Sequence, residues 1–327
     1  MRAKNETQQQ DTLGLGWRDS PEGPLARIVQ SHLQARGRNL AAEPPPRHRL
    51  WAPEFFGLHE VRLFQRATES QQREILDGCC RLLLNEAYFI EKSGLAYCAQ
   101  MILLASAVDV RQVYALISSD EAAHLQWVRP YVEEQDRMEP VGALLRFLNE
   151  LIAVCDQNTL AFLVQVMLEG WGLHHYKALA ESCRDPGLQQ VFRSIHRDEV
   201  LHHHTGEVVF NPQLLGARET ALVRDSLRFY AELVRAGPQA VVSAIDCVLG
   251  GLDLHDKTQV FTELRTEQVS AGKLEILRSL MNGPGREGYV AELTEAGAFI
   301  PYGPAACARL HDADARPTRC GEAAAGV

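Results

Sequence analysis

The sequence of 327 residues lacks the features that mark several large classes of protein. It has no uninterrupted apolar run of about 18 residues, so we expect no segment that spans a membrane. Its first residues, MRAKNETQQQDTLG, contain no apolar stretch of the kind found in secretory signals, which favours a cytoplasmic location. The net charge is −9 and no block of basic residues stands out, which argues against nucleic acid as a partner. None of the eight cysteines forms a Cys-x-x-Cys pair, so a structural zinc site is disfavoured.

The sequence also lacks alternating apolar and polar stretches of useful length, which argues against β-strands. Helical periodicity dominates from residue 70 onward and predicts four long helices with short connections, the pattern of an antiparallel bundle in an all-α protein. The expected boundaries are Ser70 as the N-cap of the first helix, Asp109 as the N-cap of the second, Pro140 at the start of the third, a break near 156–158, and Asp185-Pro186 at the start of the fourth, which ends before Pro212.

Composition divides the chain into four parts. The first residues are polar and rich in glycine and proline, with room for a short helix between Pro24 and Arg36. An aromatic cluster that begins at Trp51 is expected to anchor this lead-in on the body of the protein. The expected division is a partly extended N-terminal arm over 1–50, the bundle over 51–212, additional helices packed on it over 213–300, and a mobile tail over 301–327.

A repeat runs through the bundle region. Asp120-Glu121-x-x-His124 returns as Asp198-Glu199-x-x-His202, 78 positions later. A lone glutamate precedes each motif by 30 residues, and these glutamates, Glu91 and Glu169, are also 78 positions apart. Each half of the bundle therefore reads as a lone glutamate followed by Glu-x-x-His.

Helix geometry explains why this spacing suits a metal. A glutamate and a histidine three residues apart project from one helix face. Thirty residues correspond to one helix down and its neighbour back, roughly 22 Å each way, so each lone glutamate returns level with a Glu-x-x-His motif. Two such hairpins facing each other would bring four carboxylates and two imidazoles around one point. Such a ligand set suits two iron or manganese ions better than zinc.

The pattern resembles the ferritin-like di-metal carboxylate superfamily over about residues 70–212. The resemblance implies a ferritin-like four-helix bundle and six metal ligands, which are Glu91, Glu121, His124, Glu169, Glu199 and His202. It also implies that Asp120 orients His202 and that Asp198 orients His124, because a ligand histidine needs its second nitrogen fixed. Two iron ions, or an iron–manganese pair, are the expected cofactors.

Two positions near these ligands have alternative interpretations. Glu86 competes with Glu91 as the first ligand, but it lies about 140° around the helix and its repeat partner is Val164, so Glu91 is favoured. His196 lies one turn before Glu199 and is either an additional imidazole ligand or a packing or surface residue. The spacing of three residues favours the second interpretation.

Glycines and tyrosines follow the lone glutamates. Gly94 and Gly172 are costly inside helices, and either a pocket near the metals or close helix packing would explain them. Tyr97 and Tyr176 lie about two turns beyond the glutamates, where a buried core position is favoured over a redox role.

The resemblance further implies an O2-dependent oxygenase or oxidase that takes electrons from an external donor and acts on a small organic substrate by hydroxylation, desaturation, N-oxygenation or oxidative C–C cleavage. Apolar residues of the first and third helices favour a partly apolar substrate; they are Ile90, Leu95, Met101, Phe162, Val166 and Leu173. A homodimer is one expected assembly.

Three alternatives stay open at this point. A ferroxidase or other iron-handling homologue is less favoured, because storage cages use chains about half as long. A manganese-catalase-like enzyme would use the same ligands. A metal-free ferritin-like binding or structural module is disfavoured by the intact ligand set.

Overall fold

The computed structural model describes residues 23–38, 44–137 and 142–314, and every regular element within them is helical. Between α6 and α7 the chain continues without interruption as a π-helical stretch, Ala161–Glu169, called the π segment below. The α-helices are α1 (Pro24–Ala35), α2 (Arg62–Arg66), α3 (Glu69–Leu104), α4 (Val108–Val128), α5 (Ala143–Val154), α6 (Gln157–Leu160), α7 (Gly170–Ser182), α8 (Pro186–Val209), α9 (Ala217–Arg235), α10 (Gln239–Leu249), α11 (Leu254–Glu263), α12 (Thr266–Met281), α13 (Glu287–Glu295) and α14 (Pro304–Asp314).

The starts of the first two long helices differ from the sequence prediction. Thr68 caps α3, because its side chain accepts from the backbone N–H of Gln71 while the Gln71 side chain accepts from the Thr68 N–H. The prediction of Ser70 as the N-cap is therefore wrong by two residues. Asp109 does not cap α4; it lies in its first turn, after Ala107.

The later boundaries agree better with the prediction. The expected break near 156–158 is present, since α5 ends at Val154 and the Asp156 side chain caps α6 by accepting from Thr159 N at 2.9 Å. Asp185 caps α8 in the same way, through Leu188 N at 2.7 Å. The predicted start at Pro140 lies outside the described residues.

Two helical hairpins form the centre of the molecule. Helix α3 packs along α4, the π segment and α7 pack along α8, and α4 contacts α8 where the hairpins meet. The helices after residue 213 cover this centre: α10 packs on α3, and α12 packs on α7, the π segment and α9. These contacts place the long helices side by side. The spacing of 30 residues between each lone glutamate and its Glu-x-x-His motif requires such an arrangement.

The segment before α3 is attached by aromatic packing. Trp51 is fully buried, stacks on Phe55 at 5.8 Å between ring centroids and lies 6.0 Å from the Phe192 ring. Its indole N–H donates to the carbonyl of Leu179 at 3.3 Å. This is the anchor that the aromatic cluster predicted.

The ends of the chain follow the expected division only in part. The short N-terminal helix is present as α1, whereas residues 1–22 and 39–43 lie outside the described parts. The segment expected to be a mobile tail begins with α14, in which Cys307 and Ala308 are fully buried against the body; residues 315–327 lie outside the described parts. Among the described helices, none is both long and apolar enough to cross a membrane.

Candidate metal centre

The six residues of the repeated pattern converge at one buried place between the hairpins. Helix α3 supplies Glu91, α4 supplies Glu121 and His124, the last residue of the π segment supplies Glu169, and α8 supplies Glu199 and His202. Two sets of potential ligand atoms each lie within 4.8 Å of one another, and Glu121 belongs to both. The first set is Glu91, Glu121, His124 and Glu199; the second is Glu121, Glu169 and His202.

Distances give the cluster a two-centred shape. The His124 Nδ1 lies 3.1 Å from Glu91 Oε2, 3.9 Å from Glu121 Oε2 and 3.8 Å from Glu199 Oε1. The His202 Nδ1 lies 3.3 Å from Glu121 Oε1 and 3.6 Å from Glu199 Oε2. Glu121 and Glu199 therefore each offer one oxygen to each imidazole, while Glu91 lies at the His124 end and Glu169 groups with His202. The two imidazole centroids are 5.9 Å apart.

The outward nitrogens of both histidines meet aspartates from the opposite hairpin. His124 Nε2 lies 3.3 Å from Asp198 Oδ2, and His202 Nε2 lies 3.5 Å from Asp120 Oδ2. These are the two pairings that the resemblance implied. A carboxylate at Nε2 favours the tautomer that leaves Nδ1 without a proton and directed at the cluster.

One arginine links both aspartates. The guanidinium of Arg38 donates to Asp120 Oδ1 at 2.6 Å through one nitrogen and to Asp198 Oδ2 through another. Its own backbone carbonyl accepts from the Trp127 indole N–H at 2.7 Å. Arg38 follows α1 and lies far in sequence from both aspartates, and sequence reasoning missed it because nothing in the local pattern of the arm marks it.

The exposure of these side chains and the hydrogen-bond partners of their polar atoms indicate whether they fit a bound cation. Glu91, Glu121, Glu199 and both histidines expose at most 5% of their surface. Three of the buried polar atoms among the described residues have no hydrogen-bond partner and belong to this cluster: Glu169 Oε2, Glu199 Oε2 and His202 Nδ1. Buried polar atoms are almost always paired, so three unpaired atoms on two carboxylates and an imidazole fit a metal position.

Proton affinities in the cluster lead to the same conclusion. Burial alone would lower the pKa of His124, but the hydrogen bonds to Asp198 and Glu91 outweigh it and raise this pKa to about 10. Burial also opposes the charged form of His202, yet Asp120 and then Glu121 hold its pKa well above the ordinary value. Burial raises the pKa of Glu121 to about 7 and, together with Glu199, raises that of Glu169. Without cations, protons on these groups offset negative charge in the cluster, and divalent ions would supply positive charge in their place.

The aspartate side of the cluster behaves differently. Burial would raise the pKa of Asp198, but hydrogen bonds from His124 and Arg38 lower it to about 2. Asp198 is therefore a carboxylate anion at neutral pH and an acceptor for the imidazole N–H.

Gly94 is explained by the cluster itself. A Cβ at this position would lie 2.6 Å from Glu121 Cδ and nearer still to Oε2, so the carboxylate occupies the space that a side chain would need. Close helix packing was one of the two predicted explanations, and this approach of α4 to α3 agrees with it. Gly172, its repeat equivalent, has only Tyr176 ring carbons nearby, at 3.8 and 3.9 Å.

Tyr176 is part of the cluster's surroundings. It is 3% exposed, as a core residue would be, and its phenol O–H donates to Glu91 Oε1. A buried tyrosine needs a hydrogen-bond partner for its hydroxyl. The predicted closeness of Tyr176 to the glutamates of the cluster could therefore have signalled this contact.

The π segment delivers Glu169 and crosses α8 closely. A Cβ at Gly206 would lie 2.5 Å from Gln165 Cβ, so only glycine permits this approach. Gln165 donates to the His202 carbonyl at 3.1 Å and accepts from the Tyr114 hydroxyl at 2.7 Å, and its own carbonyl lies 3.1 Å from His203 Nδ1. The signal for this residue was its isolated polarity within the apolar run LAFLVQVML.

The two alternative ligands lie elsewhere. Glu86 is more than a third exposed and belongs to neither set. His196 also belongs to neither set; it lines a surface cavity of about 140 Å³ with Lys177, Glu181 and Arg193. The preference for Glu91 over Glu86 agrees with the geometry of the cluster.

No protein family matches this chain, and neither a curated protein nor a solved structure is significantly similar to it. The case for a metal centre therefore rests on the residues themselves. What they establish is a helical protein with a buried cluster of glutamates and histidines that could hold a metal ion.

Proposed function

We propose that this chain is an O2-dependent non-haem di-iron oxygenase or oxidase, built on a ferritin-like four-helix bundle, that acts on a small, partly apolar organic substrate. The observation that carries the proposal is the convergence of two repeats, 78 positions apart, into one buried set of four carboxylates and two imidazoles. Oxygen-rich ligation with two imidazoles suits iron, and a mixed iron–manganese pair fits as well.

The ligand roles follow from the distances. Glu91 and His124 would serve one ion and Glu169 and His202 the other, while Glu121 and Glu199 would serve both. Two ferrous ions would supply electrons for the reduction of O2, and an external donor would restore them.

The protein's own residues prepare this chemistry. Asp120 and Asp198 hold the imidazoles in the orientation that directs Nδ1 inward, and Tyr176 fixes Glu91. Five of the six proposed ligands are almost completely buried and Glu169 is half-buried, an arrangement that would keep bulk water away from bound ions. Apolar residues beside the ligands favour a substrate with apolar surface, since Ile90, Leu95 and Leu173 are only partly covered.

The first test is metal content. The full chain, loaded anaerobically with Fe²⁺ and freed of excess, should retain two equivalents. Glu91→Gln should reduce this number, whereas Glu86→Gln, a change of the same type on the same helix, should not. Equal retention by both variants would overturn the assignment of Glu91 as a ligand. Less than about one equivalent in the wild type would overturn the proposal and favour a metal-free binding module.

The second test separates enzymes that share these ligands. Mixing the di-ferrous protein with O2 in a stopped-flow instrument, with and without arylamines, fatty acids or amino acids, should give oxidation kinetics that depend on one substrate class. Oxidation to a ferric mineral at a rate indifferent to every substrate would identify a ferroxidase instead. Rapid disproportionation of H2O2 by manganese-loaded protein would identify a catalase.

A further inference from the structure

Arg38 occupies a position that neither half of the repeat supplies. It follows α1, in the N-terminal arm, and its guanidinium reaches Asp120 on α4 and Asp198 on α8 at once. The contacts join residues separated by 82 and 160 positions. Arg197 also donates to Asp198, at 3.3 Å through Oδ1, but from a side chain that is 68% exposed. Among the described residues, Arg38 is the arginine that contacts both aspartates.

Each aspartate in turn contacts one histidine of the cluster. Asp198 lies against His124, and Asp120 lies against His202. Arg38 is therefore connected to both imidazoles, each time through one aspartate. The planar fork of arginine suits this task, since it presents several N–H donors at fixed angles, whereas lysine offers a compact point charge.

The protein also fixes Arg38 itself. Its backbone N–H donates to the Leu33 carbonyl at 2.8 Å, its carbonyl accepts from the Trp127 indole, and its guanidinium lies 5.9 Å from the Trp127 ring centroid. Only 24% of its side chain is exposed. Trp127 is one turn beyond His124 on α4, so the same helix carries the ligand and the residue that holds Arg38.

We propose that Arg38 is a positioning residue that sets both histidines of the metal centre together and thereby couples its two metal positions. The inference rests on the metal-binding part of the proposed function and not on the O2 reaction. Loss of a carboxylate partner behind a ligand histidine typically weakens metal affinity by about 10- to 100-fold. Loss of Arg38 loosens both carboxylates, so both binding steps weaken.

The sign of the effect distinguishes positioning from simple charge. A guanidinium near two cations repels them, so a purely electrostatic role predicts that Arg38→Gln strengthens metal binding and that Arg38→Lys leaves it unchanged. Positioning predicts the opposite: both variants weaken binding, because lysine keeps the charge but cannot hold two carboxylates in a fork.

The chain offers a matched control. Arg47 also lies before α3, is 17% exposed, and pairs with Asp77, Glu133 and Asp136 at 2.6 to 3.3 Å, away from the cluster. Arg47→Gln therefore removes a comparable ion-pair network without touching an aspartate behind a ligand histidine.

The experiment titrates the full-length wild type, Arg38→Gln, Arg38→Lys and Arg47→Gln with Mn²⁺ and counts free Mn²⁺ by electron paramagnetic resonance. Both steps should weaken at least tenfold in the two Arg38 variants and stay within about twofold of the wild type in Arg47→Gln. Affinities unchanged or increased in the Arg38 variants overturn the inference while leaving the metal centre intact. A wild type that binds no Mn²⁺ overturns the proposed function and this inference with it.

A second measurement reports the histidines directly. Co²⁺-loaded wild type should show two strongly shifted, exchangeable imidazole N–H proton resonances, each protected by an aspartate. Arg38→Lys should accelerate solvent exchange at both, whereas Asp198→Asn should affect mainly the resonance of His124. Broadening of one signal only in Arg38→Lys contradicts the coupling of the two positions. Arg38→Lys also keeps the test decisive if Arg38→Gln fails to fold.

Discussion

Gly94 and Gly172 are equivalent positions of the repeat with different surroundings. A Cβ at Gly94 would come within 2.6 Å of Glu121 Cδ, whereas a Cβ at Gly172 would meet only Tyr176 ring carbons at ordinary contact distance. Both glycines lie inside helices, where replacement by alanine contributes about 1 kcal/mol of helix stability when space allows. Gly94→Ala and Gly172→Ala therefore form a matched pair that differs only in what the new methyl group meets.

The size of the effect of Gly94→Ala depends on whether the group that meets the new methyl can move. At Gly94 the obstacle is the end of a flexible side chain, so the backbone survives and the Glu121 carboxylate shifts. That shift lengthens the 3.3 Å ion pair between Glu121 Oε1 and His202 Nδ1, and the loss of this buried attraction offsets the gain in helix stability. Glu121 also belongs to both ligand sets, so we expect metal affinity to fall by at least about tenfold, or about 1.4 kcal/mol, per ion.

The assay combines urea unfolding of the metal-free protein with Mn²⁺ titration. Gly172→Ala should be more stable than the wild type by about 1 kcal/mol and bind Mn²⁺ normally. Gly94→Ala should be no more stable than the wild type and bind at least about tenfold more weakly. Wild-type affinity in Gly94→Ala would refute the placement of Glu121 as a shared ligand, and equal losses in both variants would refute the assignment of the effect to that carboxylate.

Three further outcomes are expected. Saturating Mn²⁺ or Fe²⁺ should raise the unfolding temperature, because a ligand at 100 times its dissociation constant contributes about 2.7 kcal/mol, and a chelator should reverse the shift in a calorimetric scan. Tyr176→Phe removes the donor to Glu91 and should lower the free energy of unfolding of the metal-free protein by roughly 1.5–3 kcal/mol in urea; no change would contradict that hydrogen bond. Burial, and then Lys273, lower the pKa of His175 from 6.5 to about 4, so between these values the unfolded chain binds a proton that the folded chain does not, and acidification destabilises the fold. His175→Gln should therefore lose about 2 kcal/mol less than the wild type between pH 7 and pH 5, and parallel losses would show that His175 titrates normally.

The convergence of the six candidate ligands could be predicted because their pattern in the sequence is periodic. Glu91 and Glu169 stand at the same distance from their Glu-x-x-His motifs, and helix geometry converts that distance into proximity. The same comparison rejected Glu86, whose repeat partner is an apolar valine. The helix starts at Asp156 and Asp185 could also be predicted, because each side chain accepts from a backbone N–H three positions later.

Other features have no local signal. The contacts of Arg38 depend on how the arm returns to the bundle, and no spacing rule reaches across 160 positions. The π segment includes Gln165, which α8 approaches closely at Gly206, and no period in the sequence marks this stretch. The N-cap of α3 was misplaced because Ser70 and Thr68 are both capping residue types, and only Thr68 has a glutamine three positions later whose side chain completes the capping box.

The two ends of the cluster differ in a way that predicts the order of metal binding. Glu91 accepts from Tyr176 and lies within hydrogen-bond distance of His124 Nδ1 at 3.1 Å, so ligand atoms at this end are engaged before any cation arrives. At the other end Glu169 Oε2 and His202 Nδ1 have no hydrogen-bond partner among the described residues.

The repeat explains the difference: the equivalent of Tyr176 is Cys98, a fully buried thiol and a weak donor. Because a hydrogen bond to a charged group is worth roughly 1.5–3 kcal/mol, the first ion should bind at the Glu169 end, where fewer such bonds must break. In substoichiometric Mn²⁺ titrations, His202→Gln should therefore weaken the first step and His124→Gln chiefly the second. The reverse assignment would show that the hydrogen bonds around Glu91 prepare that end for a cation rather than compete with it.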